Sequence, residues 1–416
     1  MLKIADPNGE MTLTLDEIAR EGARRMLVVA LEAEVEAYLE RHRGDRDENG
    51  RALVVRNGKA RPCKVTCGAG TLEVQAPRVN DRRVDENGER QRFSSAILPS
   101  YMRRSPKVSE VLPILYLRGL STGDFKPALG SLLGEEAAGL SSTNIARLTE
   151  TWSEEYKQFR FRSLKARDYV YIWADGVHFN VRLDDDRLCT LVIIGVRPDG
   201  TKELVAVEDG YRESAESWRE VLRDLKRRGM QSPALAIGDG ALGFWAAVRD
   251  IWPEARHQRD WCHKMSNVLD KLPKRLQPKA KAMLRDIMYA SDRASADEAV
   301  AAFEAVFRPK HPKAVGCLAK DLDEMFTFFD FPAEHWQHIR TSNPIESAFS
   351  TVRLRTRVTK GAGSRDKALT MAFKLLEMAQ VRWRKITAAE LLPLVRAGVV
   401  FRDGVQVERE ETEDAA

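Results

Sequence analysis

The sequence predicts an α/β chain. It has a mixed sheet of three meander strands followed by alternating helices and strands, a mainly helical region before it, and an all-helical stretch set into it. Three observations carry this. Residues 169–207 hold three apolar, β-branched and aromatic runs, separated by the turn signals Asp184-Asp185-Asp186 and Pro198-Asp199-Gly200. Amphipathic helical patterns and short apolar strands then alternate as far as His257. From Cys262 to Phe331 the strand signal stops and helical patterns take over.

Composition agrees. The 416 residues are 43% apolar and 31% charged, which fits a folded chain and excludes a disordered or fibrous one. The length fits about two to four domains. No run approaches the roughly 18 consecutive apolar residues of a membrane span. The opening MLKIADPNGEMTLTLDE lacks the basic-then-apolar order of a signal peptide. Five cysteines, an odd and low count, argue against a disulfide scaffold, so a cytoplasmic protein is expected.

In chain order, residues 14–43 read as one helix. Thr14 and Glu17 form a capping box, Ile18, Met26, Leu27, Ala30, Leu31 and Tyr38 recur near helical spacing, and Gly44 ends it. Its apolar face needs a partner, either the chain's own core or a second copy. Residues 45–60 read as a polar loop, followed by β-like runs at Cys63–Cys67 and Thr71–Ala76. Helices are expected from Lys107 to Lys157, with Ser121-Thr122 and Ser141-Ser142 as caps. This pattern fits a DNA-binding helix-turn-helix and fits plain helical packing equally well. The sheet follows: strands at Tyr169–Leu183, Leu188–Val196 and Lys202–Val207, a helix at Ala215–Arg228 ending at Gly229, a strand at Ala234–Ile237, a helix at Phe244–Ile251 and a strand running to His257. Residues 343–358 and 365–385 look helical again.

The net charge is +5, and its distribution says more than its size. Residues 255–290 carry +6 and residues 340–385 carry +8, so the remaining chain carries −9. Residues 51–78 form a third basic run and Glu408–Asp414 an acidic end. Concentrated basic runs are the footprint of a phosphate-backbone partner; solvated helix faces are the plainer alternative.

Three acids stand where a catalytic site would need them. Asp175 lies inside the strand YIWADGVHF, where a carboxylate is costly to bury unless it is paired. Asp239 follows the fourth strand at its C-terminal end, the edge where open α/β sheets bind ligands. Glu346 lies near the start of a helix in TSNPIESAF, with Pro344 suited to the first turn. Two strand carboxylates and a helix-borne third could converge on divalent metal, and a metal pair about 4 Å apart would clamp the attacking and leaving oxygens of a phosphodiester. Each acid alone has a plainer role, as a turn residue or a helix N-terminal charge.

These residues fall into blocks that resemble bacterial Mutator-type insertion-sequence transposases. The blocks are Asp175-Gly176; Ile237-Gly238-Asp239-Gly240-Ala241 with Trp245; and Thr341-Ser342-Asn343-Pro344-Ile345-Glu346-Ser347 followed by Arg353, Arg355 and Arg357. Arg56-Asn57-Gly58, Ala76-Pro77-Arg78 and Gly119-Leu120-Ser121-Thr122 extend the likeness over roughly residues 15–390. The resemblance implies an RNase H-like fold carrying a DDE triad of Asp175, Asp239 and Glu346 that holds Mg²⁺, with Mn²⁺ as an alternative. It implies no nucleotide cofactor, and no GxxxxGK[ST] loop is present. It implies DNA partners, the terminal inverted repeats and the target, an active form that is a dimer or larger, and a nucleoid-associated location.

The organisation expected is residues 1–50 as an N-terminal helix, 51–105 as a small basic β-containing segment and 106–160 as DNA-binding helices. Residues 165–261 form the first part of the catalytic core, 262–340 a helical insertion within the 107-residue gap from Asp239 to Glu346, 341–395 the final core helices and 396–416 an acidic tail. One departure stands out. The family shows Cys-x-x-His after the second acid, whereas here Asp260 takes the cysteine position before His263. A zinc pair is therefore not expected; structural packing or a DNA contact by His263 is the plainer reading, and Asp260 as a further carboxylate near the site is the alternative. Cys63 and Cys67 have no second pair nearby for zinc. DNA contacts are expected from Arg353, Arg355, Arg357, Lys360, His263 and Lys264, with Trp336 stacking on an unpaired base. Two rival functions share these residues: an RNase H-like nuclease that cuts without joining, and a catalytically silent DNA-binding regulator.

Overall fold

In the computed structural model the chain divides into two units, Met1–Glu150 and Thr151–Ala416. The residues described are 2–6, 9–118, 120, 125–133, 142–179, 188–210, 214–240, 242–358 and 364–407.

The first unit opens with a hairpin that the sequence did not announce, β1 (Leu2–Asp6) against β2 (Gly9–Leu13). Helix α1 (Leu15–Arg41) starts where the capping box places it. The Thr14 side chain accepts from the Glu17 backbone and the Glu17 carboxylate accepts from Thr14 N at 2.7 Å. The helix stops at Arg41 with His42 as its cap, short of Gly44. Residues 45–60 are not all loop: β3 (Val54–Lys59) pairs antiparallel with β6 (Pro77–Asp81). Only Val54 is buried there, and the register slips between Arg56 and Lys59 around Gly58 at φ +63, so the strand has no alternating pattern to read. Between them β4 (Cys63–Cys67) pairs with β5 (Gly70–Val74). Leu31, Leu72 and Val74 form the core under α1. Arg83 then ties the end of that helix down, donating to both Asp81 oxygens and to the Tyr38 hydroxyl at 2.7 Å. Helices α2 (Pro106–Arg118) and α3 (Phe125–Leu133) share a core of Val108, Leu112, Phe125 and Leu133. Ser121, Thr122, Ser141, Lys360 and the Asp184–Asp186 turn lie outside the described residues.

Helix α4 (Ser142–Phe161) leads into the second unit. Its sheet is mixed and has five strands: β7 (Tyr171–Phe179), β8 (Leu188–Val196) and β9 (Lys202–Gly210), then β10 (Leu235–Gly238) and β11 (Arg256–Arg259) beyond helices α5 (Ala215–Arg227) and α6 (Leu242–Ile251). The spatial order is β11-β10-β7-β8-β9. The meander is antiparallel, and β10 and β11 add on parallel to β7. Parallel neighbours need crossovers, which α5 and α6 supply.

Strand alternation decides which residues meet which helices. Ile172, Ala174 and Ala236 join Trp218, Leu222, Phe244 and Val248 in the core against α5 and α6. Tyr171, Trp173 and Asp175 therefore face the other side. After β11 come α7 (Trp261–Leu269), α8 (Gln277–Met288), α9 (Arg293–Phe307), α10 (Pro312–Ala319), α11 (Leu322–Phe326) and α12 (Trp336–Ile339). Helix α13 (Asn343–Val358) packs on β7, and α14 (Arg365–Gln380) packs on β9. The acidic end is preceded by a hairpin of Phe401–Arg402 with Val405–Gln406. Among the described residues no helix is long and apolar enough to cross a membrane.

Candidate active site

Register brings the first two acids together. The parallel ladder ends with Gly238 paired to Ala174, so Asp239 and Asp175 are each the next residue along neighbouring strands. Asp175 is 8% exposed and accepts from Gly176 N at 2.7 Å. The third acid arrives on α13, which packs against the same strand. Ile345, Ala348, Phe349 and Val352 form the buried stripe of that helix, and Glu346 sits beside it in the first turn. There the helix dipole favours a negative charge.

The approach to α13 is held by hydrogen bonds from two directions. Trp173 on β7 donates its indole N–H to Thr341 O at 3.2 Å, and Trp261 N donates to Arg340 O at 3.0 Å. The third tie is Asp260, which is fully buried. Its Oδ1 accepts from Ser342 N at 2.9 Å and Cys262 N at 3.3 Å. Its Oδ2 accepts from His263 N at 2.8 Å and from the His263 ring at Nδ1, 2.6 Å. One carboxylate thus caps α7, seats the start of α13 and orients an imidazole. The other ring nitrogen of His263 stands 3.4 Å from Glu346 Oε1. The Asp260 hydrogen bond raises the His263 pKa to about 9, helped by the charges of Asp260, Glu346 and Asp239, against the opposing effect of burial. His263 is thus held between a structural carboxylate and a candidate catalytic one.

Asp260, His263 and Glu346 bring their ligand atoms within 4.8 Å of one another. The four hydrogen bonds to Asp260 occupy its roughly four lone-pair sites. It is therefore a structural anchor, and the further carboxylate expected near the site is not left free to bind. Asp175, Asp239 and Glu346 supply the hard oxygen donors that suit Mg²⁺ or Mn²⁺.

The expected DNA contacts divide. Arg353 is exposed and lies two turns beyond Glu346 on the same helix face. Arg355 and Arg357 continue α13, and Lys360 is outside the described residues. Two expectations are corrected. Trp336 is only 6% exposed, packed edge-on against the adjoining rings of Phe328 and Phe329 with its N–H given to Phe331 O, so it offers no face to a base. Lys264 is 1% exposed and its ammonium is paired with Asp321. Asp260 as an anchor was missed, although an Asp just before a helical run is a capping signal.

The relatives define the class. Over 302 residues the chain is 58% identical to the transposase for insertion sequence element IS6120 of Mycolicibacterium smegmatis, covering 73% of this chain and 93% of that protein. It is 49% identical over 286 residues to the transposase for IST2 of Acidithiobacillus ferrooxidans, covering 67% and 94%. It is 26% identical over 378 residues to the transposase for ISRM5 of Rhizobium meliloti, covering 88% of each. All three are transposases of insertion sequences. The family described as Transposase, Mutator family matches residues 3–385, and the chain belongs to that family.

Proposed function

We propose that this chain binds the terminal inverted repeats of an insertion sequence and cuts and joins DNA with a DDE triad, Asp175, Asp239 and Glu346, on an RNase H-like core. What supports the reading is the register that makes Asp239 and Asp175 the next residues along neighbouring strands, with the helix of Glu346 packed on the strand of Asp175. Mg²⁺ held by these carboxylates would supply the positive charge that stabilises the attacking and leaving oxygens.

The chain's own residues do the rest. Asp175 is taken to serve both sides of the site, because its strand pairs with that preceding Asp239 and packs against the helix of Glu346. Asp260 and His263 hold Glu346 in place, and Arg353 is placed to contact a DNA phosphate. The first reaction breaks a phosphodiester at the transposon end with water and frees a 3′-hydroxyl. In the second, that hydroxyl displaces a phosphodiester oxygen of target DNA. The N-terminal unit supplies inverted-repeat recognition, the active form is a dimer or larger, and the protein works on the nucleoid in the cytoplasm.

Asp175→Asn in the purified chain is expected to leave inverted-repeat binding intact and to abolish strand nicking in Mg²⁺. Undiminished cleavage by that variant overturns the reading. Strand transfer from pre-cleaved ends separates a transposase from a nuclease that only cuts.

A further inference from the structure

Asp321 belongs to the helical stretch, one residue before α11. Its Oδ2 is shared by two cations, Nη1 of Arg259 at the end of β11 and Nζ of Lys264 in α7. The Arg259 and Asp321 side chains are 14% and 18% exposed, and Lys264 is almost wholly buried. Enclosing two cations with a single carboxylate is costly in a poorly solvated place. The arrangement therefore calls for a reason beyond stability.

Gly240 supplies one. It has φ +89, and a Cβ built on it would come within 2.6 Å of Arg259 Nε and Nη1. The guanidinium thus occupies the space a side chain would take, at the residue that follows Asp239. Backbone pairing closes the corner beneath it: Gly238 is in register with Arg259, and Asp260 N donates to Gly238 O at 2.8 Å.

We propose that Asp321 is a positioning residue for Asp239: reaching in from the helical stretch, it holds Arg259 against Gly240 and so fixes the turn that carries the acid. The proposal rests on the reading of Asp239 as a metal-holding carboxylate. On this account the helical stretch belongs to the catalytic machinery, because it sets the geometry of one of the three acids.

The test uses the full-length chain and two measurements: Mn²⁺ binding by titration without DNA, and the Mg²⁺ dependence of inverted-repeat cleavage. Asp321→Asn is expected to weaken Mn²⁺ binding about tenfold, the lower range for residues that orient metal ligands, and to raise the Mg²⁺ needed for half-maximal cleavage to match. Inverted-repeat affinity stays unchanged. Gly240→Ala, which displaces the same guanidinium, gives the same loss, and the double variant is no worse than the worse single because both act through one contact. Asp321→Glu, which keeps the charge, restores most of the binding.

Wild-type Mn²⁺ binding in Asp321→Asn overturns the proposal, as do losses that multiply in the double variant. If Asp321→Asn does not fold, Arg259→Lys decides alone: losing the guanidinium that packs on Gly240, it must weaken Mn²⁺ binding in a chain that still melts cooperatively, and wild-type binding overturns the proposal. Asp239→Asn is the control. If it binds Mn²⁺ and cleaves like wild type, the metal-site reading itself fails; if it loses both while Asp321→Asn loses neither, only the clamp fails.

Discussion

Asp260 carries more hydrogen bonds than its place in the motif suggests. Removing the carboxylate in Asp260→Ala strands the buried Ser342 N–H, costing about 1–3 kcal/mol, and takes the cap from the partly buried His263 N–H. The expected loss is on the order of 3 kcal/mol in denaturant melts, and a loss below about 1 kcal/mol would contradict this account. Glu208 makes a second residue-level prediction. Burial outweighs its ion pair with Arg160 and pushes its carboxyl up to about 6. A raised acid binds its proton more readily folded than unfolded. Its stabilising contribution is therefore present below the ordinary carboxylate pKa and is lost as pH rises to about 6, a change on the order of 2 kcal/mol. Glu208→Gln should flatten the stability profile across that window; an unchanged profile would remove Glu208 as its cause. At this scale the three candidate acids stand out in the sequence because each sits in a distinctive block, whereas the residues around them do not. Ser342 reaches Asp260 across 82 residues and Lys264 reaches Asp321 across 57, so no local pattern joins either pair. For Trp336, base stacking stood against the plainer reading of a core aromatic, and the Phe328 and Phe329 rings that bury it lie in a separate turn.

Elements were read best where a boundary has a chemical cause. Thr14 and Glu17 fixed the start of α1, and the apolar run Leu188–Val196 gave β8 its bounds. Gly229 closes α5 because it takes φ +100, which lets Met230 N reach Leu225 O and Gly229 N reach Lys226 O, both at 3.0 Å. A Cβ there would also press on Lys165 Cα at 3.1 Å. Gly229→Ala is expected to cost about 1–3 kcal/mol through left-handed strain and crowding. Thermal melting checks this, and a shift no larger than that of an exposed helix alanine would show that the turn relaxes. The strands that escaped notice, β1, β2, β3, β6 and the hairpin of Phe401–Arg402 with Val405–Gln406, are short and belong to two-stranded sheets, so neither length nor alternation announces them.

At the scale of the molecule, the basic window at residues 255–290 looks different once its partners are known. Arg256 pairs with Asp330, and Arg259 and Lys264 share Asp321; both acids lie outside the window. Part of the apparent excess is thus answered by the helical stretch itself. Lys271, Lys274, Arg275, Lys279, Lys281 and Arg285 are exposed. If those six grip phosphates, their neutral replacement should flatten the slope of log K against log salt by at most about 5, at roughly 0.9 per phosphate on duplex DNA. An unchanged slope would mark them as ordinary surface.

The tie between Trp173 and Thr341 spans 168 residues and sets an order of events during synthesis. At roughly 5–20 residues per second, β7 waits about 10–30 s for its last partner to leave the ribosome. Throughout that interval the first unit is already complete, but the strand acids have no Glu346 helix to meet. If the three acids form one site as proposed, a growing chain, or one cut short by an early stop codon, would carry everything ahead of the sheet yet be unable to break a strand, and any harm to the genome would be deferred to the last stages of translation.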